Sequence, residues 1–282
     1  MIRKKLRILA FGAHPDDCDI KMGGTAIKYA KMGHKVKFIS VTTGDTGHYA
    51  MGGGPLAKRR RDEAMKAAKV AGIEYEILDI HGNQLLPTLE NRYLIIRKIR
   101  EFKPDIIFTH RPYDYHPDHR YTSQLIQDAA YTVTVPNVEA LTPHLTYNPV
   151  IAYMSDDFRR PYPFSPDVVV GIDDVVEEKM RMLHCHESQM YEWLPYNQGI
   201  LDEVPEDEDE RFKWLKGKFL PRFREIADKY RDRLRELYGR DEGDKIQYAE
   251  AFEICEYGAP VREEDIKRIF PFFPETSLNT PT

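Results

Sequence analysis

Leu6-Arg7-Ile8-Leu9-Ala10-Phe11-Gly12-Ala13-His14-Pro15-Asp16-Asp17 runs from an apolar stretch straight into a proline, one imidazole and two carboxylates. Leu6 to Gly12 reads as a buried strand, and the polar cluster sits at its carboxyl end. The basic start, Arg3-Lys4-Lys5 with Arg7, imitates a secretory leader. The apolar part is too short for one, and no small-residue cleavage site follows it.

The pattern then alternates. Gly23-Gly24 opens a helical segment closed by Gly33-His34, and Val36 to Val41 is a second strand. Thr43 to Pro55 holds Gly44, Gly47 and Gly52-Gly53-Gly54, which predicts a mobile loop. Leu56 to Val70 is a helix ended by Gly72, and Tyr75 to Ile80 a third strand. Asn91 to Phe102 is an amphipathic helix broken by Pro104, Ile106 to Thr109 a fourth strand, and His119 or Arg120 to about Ala130 a further helix.

Strand and helix alternating over short connections predict an α/β fold. The expected architecture is a Rossmann-like, doubly wound, mainly parallel sheet of order 3-2-1-4-5 with helices on both faces. In such a sheet strands 1 and 4 are neighbours at the switch point, and ligands bind beyond their carboxyl ends. A second cluster, His116-Pro117-Asp118-His119, follows strand 4 as the first follows strand 1. The topology therefore predicts that the two meet.

The later chain is less regular. Val150 to Met154 and Val168 to Ile172 read as strands, and Asp173 or Asp174 as the cap of a helix through Val176, Met180 and Leu183. The acidic run Glu203 to Glu210 reads as a solvated loop, and Phe212 to Leu237 as helix beyond a break at Pro221. Tyr248 to Cys255 is the last expected strand, and the tail with Pro271, Pro274 and Pro281 is expected to be irregular. Residues 1–258 are read as a single domain and 259–282 as a C-terminal extension.

The chain has 282 residues, 41% hydrophobic, which is ample for a packed core. A net charge of −5 with no basic stripe excludes nucleic acid as a main partner. No apolar run reaches the length of a membrane span. Cys18, Cys185 and Cys255 are too far apart for a disulfide framework or a thiolate site, which points to a reducing cytoplasm.

Taken alone, His-Pro-Asp-Asp is often only a loop with a helix cap, and a lone His-x-x-His is equally weak. Together at the ends of adjacent parallel strands they suit one divalent metal. A catalytic zinc takes three His or carboxylate ligands and keeps a position for water. His14, Asp17 and His119 could supply that set. Asp16, beside the metal but not on it, could be the general base. His116 could stabilise an oxyanion or protonate a leaving amine, and Asp118 could orient a histidine.

His14-Pro15-Asp16-Asp17 with His116-Pro117-Asp118-His119 resembles the PIG-L/LmbE zinc-dependent N-deacetylases, which act on N-acetylglucosamine conjugates. Arg60-Arg61-Asp62-Glu63 resembles that family's Arg-x-x-Glu helix, and His186-Glu187-Ser188-Gln189 its His-x-Ser-Gln element. Tyr248 to Phe252 resembles its C-terminal strand, so the likeness spans about Lys5 to Cys255. It implies Zn2+, with another divalent metal possible, on His14, Asp17 and His119. It further implies Asp16 as base, His116 as acid or electrostatic stabiliser, and Asp118 tuning that histidine. Arg60 would contact substrate hydroxyls. Asp114 stands where some relatives have a tyrosine and is taken as substrate-binding. Cys18-Asp19 replaces the usual Glu, and His81-Gly82-Asn83-Gln84 the usual Asp-Gly pair.

The expected activity is hydrolysis of an N-acetyl group from a small, sugar-containing substrate, in the cytoplasm, and the resemblance allows a homo-oligomer. The runners-up are a hydrolase or transferase on another amide or ester and a non-catalytic metal-binding relative. A dinucleotide-binding oxidoreductase would need Gly-x-Gly-x-x-Gly after strand 1, where this chain has His-Pro-Asp-Asp. Tyr191, Trp193 and Tyr196 could stack on sugar rings, and Arg111 and Arg120 could meet an anionic group.

Overall fold

The computed structural model describes residues 5–274. β1 (Arg7–Gly12), α1 (Asp17–Lys31), β2 (Lys35–Ser40), α2 (Gly53–Ala71), β3 (Glu74–Ile77), α3 (Leu89–Phe102), β4 (Ile106–Thr109) and α4 (Pro117–Thr132) alternate as expected. β5 (Val150–Met154), β6 (Val168–Gly171), α5 (Val176–His184) and α6 (Leu194–Asn197) follow. After them come α7 (Glu208–Lys229), α8 (Arg231–Tyr238), α9 (Arg240–Lys245), β7 (Ala249–Ile254) and α10 (Glu263–Ile269).

The strands form one seven-stranded sheet of order β3-β2-β1-β4-β5-β7-β6. The first five take the expected order, and all pairs among them are parallel. β7 departs from the expectation: it slots antiparallel between β5 and β6. Each strand's apolar residues report burial but not which neighbour supplies it, so this insertion leaves no local mark.

Alternate residues of the central strands feed two cores. Ile8, Ala10, Ile106 and Phe108 face one side, with α1, α5 and α7 packed over them. Leu9, Phe11 and Ile107 face the other, under α3 and α4. Strands buried on both faces need this near-continuous apolar composition. β1 and β4 run in register, Ala10 opposite Phe108, so the loops leaving them emerge side by side.

α1 begins at Asp17, inside the first motif, and not at Gly23-Gly24. What the glycines mark is a kink: Met22 has non-helical φ/ψ of −146° and 16°. The amides freed beyond it, Gly24 N and Thr25 N, donate to the two oxygens of Glu250 at 2.8 and 2.7 Å. Lys179, fully buried, donates to Glu250 at 2.6 Å and to the Ile20 carbonyl at 2.8 Å. A β-carbon at position 24 would lie 2.8 Å from Ile172, so only glycine fits there.

Helix α7 passes through Pro221 without breaking. The carbonyl that loses its partner is that of Gly217, and both residues are exposed, so water can replace the bond. The interruption comes instead at Tyr230, between α7 and α8. The acidic run ends as the start of α7, with Asp207 accepting the Glu210 N–H at 3.0 Å. Neither Asp173 nor Asp174 caps α5, whose N-cap is Val175. In the tail, Phe270 is fully buried against Tyr29, Phe108 and Phe252, while Pro281 lies outside the described residues. Among the described residues no helix is long and apolar enough to cross a membrane.

Candidate metal centre and active site

The two clusters meet. His14 Nδ1 lies 3.2 Å from His119 Nε2, and the Asp17 carboxylate reaches both, Oδ2 at 3.5 Å from the first and Oδ1 at 3.4 Å from the second. Ligands held at roughly 2.0–2.1 Å on a tetrahedral zinc are about 3.3 Å apart. The spacing fits a cation.

The outer contacts strengthen that fit. Asp118 Oδ2 sits 3.2 Å from His14 Nε2, and Asp114 Oδ2 sits 3.1 Å from His119 Nδ1. Each carboxylate favours a proton on the nitrogen beside it, which leaves the opposite nitrogen with a bare lone pair. With both rings neutral, two such lone pairs and the Asp17 carboxylate lie close together on the same side. Burial opposes a charge on His14, yet the bonds to Asp118 and Asp17 outweigh it and raise its pKa to about 9. That is the behaviour of a pocket seeking a positive charge. Burial also works against the Asp17 carboxylate, but His119, His110 and His14 hold its pKa well below the usual range.

The Asp118 carboxylate partners His14 and the Asn83 N–H, and its charge also acts on His116, the histidine it was expected to tune. Asp114, expected as a substrate contact, lies 3.1 Å from His119 Nδ1 and accepts the His116 N–H at 2.9 Å.

The second motif opens α4, two residues earlier than the expected start at His119. His116 is the N-cap, and its Nδ1 accepts the Asp118 N–H at 3.1 Å. Neutral His116 therefore carries its proton on Nε2. Burial, with His14 and His119 close by, lowers its pKa to about 4. A neutral side chain of this kind is a hydrogen-bond donor, which suits the electrostatic stabiliser of the two expected roles. Its ring centroid is 4.6 Å from that of His14.

Asp16 is buried and held at both oxygens. Arg60 Nη2 donates to Oδ1 at 2.9 Å and Gln189 Nε2 to Oδ2 at 3.2 Å. Arg60 is itself buried, and its Nη1 donates to the Gly44 carbonyl at 2.7 Å. It is thus a clamp on Asp16, not the open substrate contact expected. Gly44 (φ 66°) turns that carbonyl inward, and a β-carbon there would strike Arg60.

The motif from His186 to Gln189 supports the same wall. His186 bonds Asp19 at 2.9 Å, and Asp19 also accepts from Tyr75. Ser188 donates through its amide and hydroxyl to Glu63 at 2.9 and 2.6 Å. Ser188 to Trp193 is a π-helical turn, which aims Ser188 and Gln189 at the acids of α1 and α2.

The glycine-rich loop is tied down at several points. Asp45 accepts from Gly82 N and bonds His81, and His48 bonds Glu192 at 2.7 Å. Tyr49 stacks on Tyr196 with centroids 4.4 Å apart, and Tyr196 stacks in turn on Trp193. Tyr191 is buried, and its hydroxyl bonds His184. The aromatic faces proposed for sugar stacking thus largely meet one another. Arg111 is buried on Asp156, and Arg120 donates to the Asp114 and Tyr115 carbonyls, so neither reaches toward a ligand.

One residue at the centre was not read from the sequence. His110, just past β4, lies 3.2 Å from Asp17 and stacks on His119 with centroids 4.1 Å apart. Its place at the carboxyl end of a switch-point strand was the available signal.

Residues 9–130 match the family model described as PIG-L, GlcNAc-PI de-N-acetylase. The chain is 33% identical over 211 residues to a diacetylchitobiose deacetylase from Thermococcus kodakarensis, covering 69% of this chain and 76% of that one. The fold superposes on N,N'-diacetylchitobiose deacetylase from Pyrococcus horikoshii, solved with its inhibitor MPG. There the TM-score is 0.67 at 27% identity, over 89% of this chain and 84% of the other. A 4-oxalmesaconate hydratase from Pseudomonas putida is 23% identical over 203 residues, 68% of this chain and 78% of its own.

Proposed function

This chain belongs to the PIG-L family of GlcNAc-PI de-N-acetylases, and from that membership and the site geometry we propose that it is a zinc-dependent N-deacetylase of small N-acetylglucosamine-type conjugates. A hydrolase acting on an amide is what its relatives support; the metal, the residues and the substrate are the proposal. His14, Asp17 and His119 would hold the ion. The observation that carries the reading is the convergence of their three lone pairs, each ring turned by a carboxylate behind it.

The chemistry supplied by a bound divalent ion is that of a Lewis acid beside water. Asp16, held by Arg60 and Gln189, takes the proton of the attacking water. Each carboxylate oxygen keeps a lone pair free after accepting one bond, so the clamp orients the base without occupying it. His116 donates its Nε2–H to the oxyanion that forms on the acetyl carbon. Asp16, now protonated, returns the proton to the departing nitrogen. The C–N bond breaks, and acetate and a free amine leave. The setting is the cytoplasm, and the substrate a small sugar-containing molecule.

Metal analysis with an acetate-release assay on a panel of N-acetylglucosamine conjugates tests this. Bound metal with no acetate from any member would remove the deacetylase reading. The likeness to a hydratase gives a second reading, water addition to an unsaturated acid. Activity on such an acid, seen as loss of conjugated absorbance, would select it.

A further inference from the structure

His110 is buried, with its side chain 3% exposed, and it touches both ligand-bearing segments. Its Nε2 accepts the Ala13 N–H at 3.1 Å, from the residue before His14. Its ring lies against His119, planes 13° apart. The same nitrogen is 3.2 Å from Asp17 Oδ2, an oxygen that also accepts the His14 N–H at 2.7 Å.

By distance alone, two groups among the described residues could bind a metal: His14, His116 and His119, and Asp17, His110 and His119. A neutral imidazole nitrogen has one lone pair, in the ring plane. At His110 Nε2 the Ala13 amide occupies it. His110 therefore stands behind the ligands and not among them.

Resting on the metal reading above, we propose that His110 is a positioning residue that couples the two halves of the metal site. Through Ala13 it fixes the turn presenting His14 and Asp17. Through the stack it helps fix the plane of His119, which Asp114, Tyr115 and His116 also touch. One ring thus sets the spacing between donors brought from β1 and α4. Such supporting partners are typically worth about 10–100-fold in metal affinity.

The test uses the full chain, its zinc affinity read by competition with a chelator. His110→Ala removes the acceptor and the stack, and His110→Phe removes the acceptor alone. The expected result is zinc binding weakened about 10–100-fold in His110→Ala and less in His110→Phe, with the melting temperature of the metal-free forms little changed. The cobalt-substituted His110→Ala protein should show shifted d–d bands. Zinc affinity within twofold of the unaltered protein in both variants would overturn the proposal. X-ray absorption compares the zinc-loaded unaltered and His110→Ala proteins: the same number of imidazoles in the first sphere is expected in both, and one fewer in His110→Ala would make His110 a ligand. A protein that takes up no divalent metal fails the metal reading itself, a different outcome from metal bound indifferently to His110.

Discussion

His14 Nδ1 stands 3.2 Å from His119 Nε2 across 105 residues of sequence, and each ring has a carboxylate at its far nitrogen. His14→Ala or His119→Ala should therefore empty the site, and metal content measured on the purified protein checks this. Asp118→Asn should weaken zinc by about 10–100-fold while leaving it bindable. Full zinc in His119→Ala would contradict the ligand set.

Asp16 lies outside that set, so Asp16→Asn should keep metal and lose turnover by about 10²–10⁴-fold. Zinc content and acetate release measured on one preparation separate the two effects. A variant that retains the full rate would remove Asp16 as base.

His116 has two duties that substitution can separate. His116→Asn can still cap α4 but cannot reach as far, so stability should hold while kcat drops about 10²–10³-fold. His116→Ala should show the same rate loss and in addition lose about 1 kcal/mol of stability. Equal melting temperatures for the two variants would argue against the cap.

At pH 7 the metal-free protein carries a proton on His14, whose pKa is raised to about 9. Zinc must displace it. Apparent affinity should rise about tenfold per pH unit from 7 toward 9 and then level off. The same shift has a stability consequence. The charge on His14 stabilises the metal-free fold fully below the unfolded value near 6.5, and that contribution fades as pH climbs through about 9. Metal-free protein should melt lower at pH 9.5 than at 6.5, and calorimetry in buffers of different ionisation heat should count about one proton released per zinc.

Lys179→Met should strand Glu250 as a buried charge and destabilise by about 3–5 kcal/mol. The double variant with Glu250→Gln should recover part of the loss, because no net charge is then left inside. Chemical denaturation of the three proteins measures both steps.

Much of this was readable beforehand, for physical reasons. Strands β1 and β4 are buried on both faces, so their residues declare themselves without help from neighbours. The meeting of His14 and His119 follows from topology once those strands are adjacent. What was not readable depends on partners distant in the chain. Nothing local says that Arg60 will spend its donors on Asp16 and Gly44, or that Asp114 will turn back to His119. Gly23-Gly24 looks like a helix opening because its amides do start a new hydrogen-bonded stretch; only Glu250 reveals it as a bend within α1. His110 sits in a run of strand-end residues without a motif of its own.

The anchoring of α1 by Glu250 has a bearing on how the molecule can be cut. Every proposed metal donor lies within residues 9–130. The groups that complete Asp16, Asp19 and the bend in α1 are Gln189, His186, Lys179 and Glu250, all later in the chain. A fragment ending after α4 would keep the reactive side chains and forfeit the frame that aims them. The proposed reactive groups thus come from the first half of the polypeptide, and the frame around them from the second.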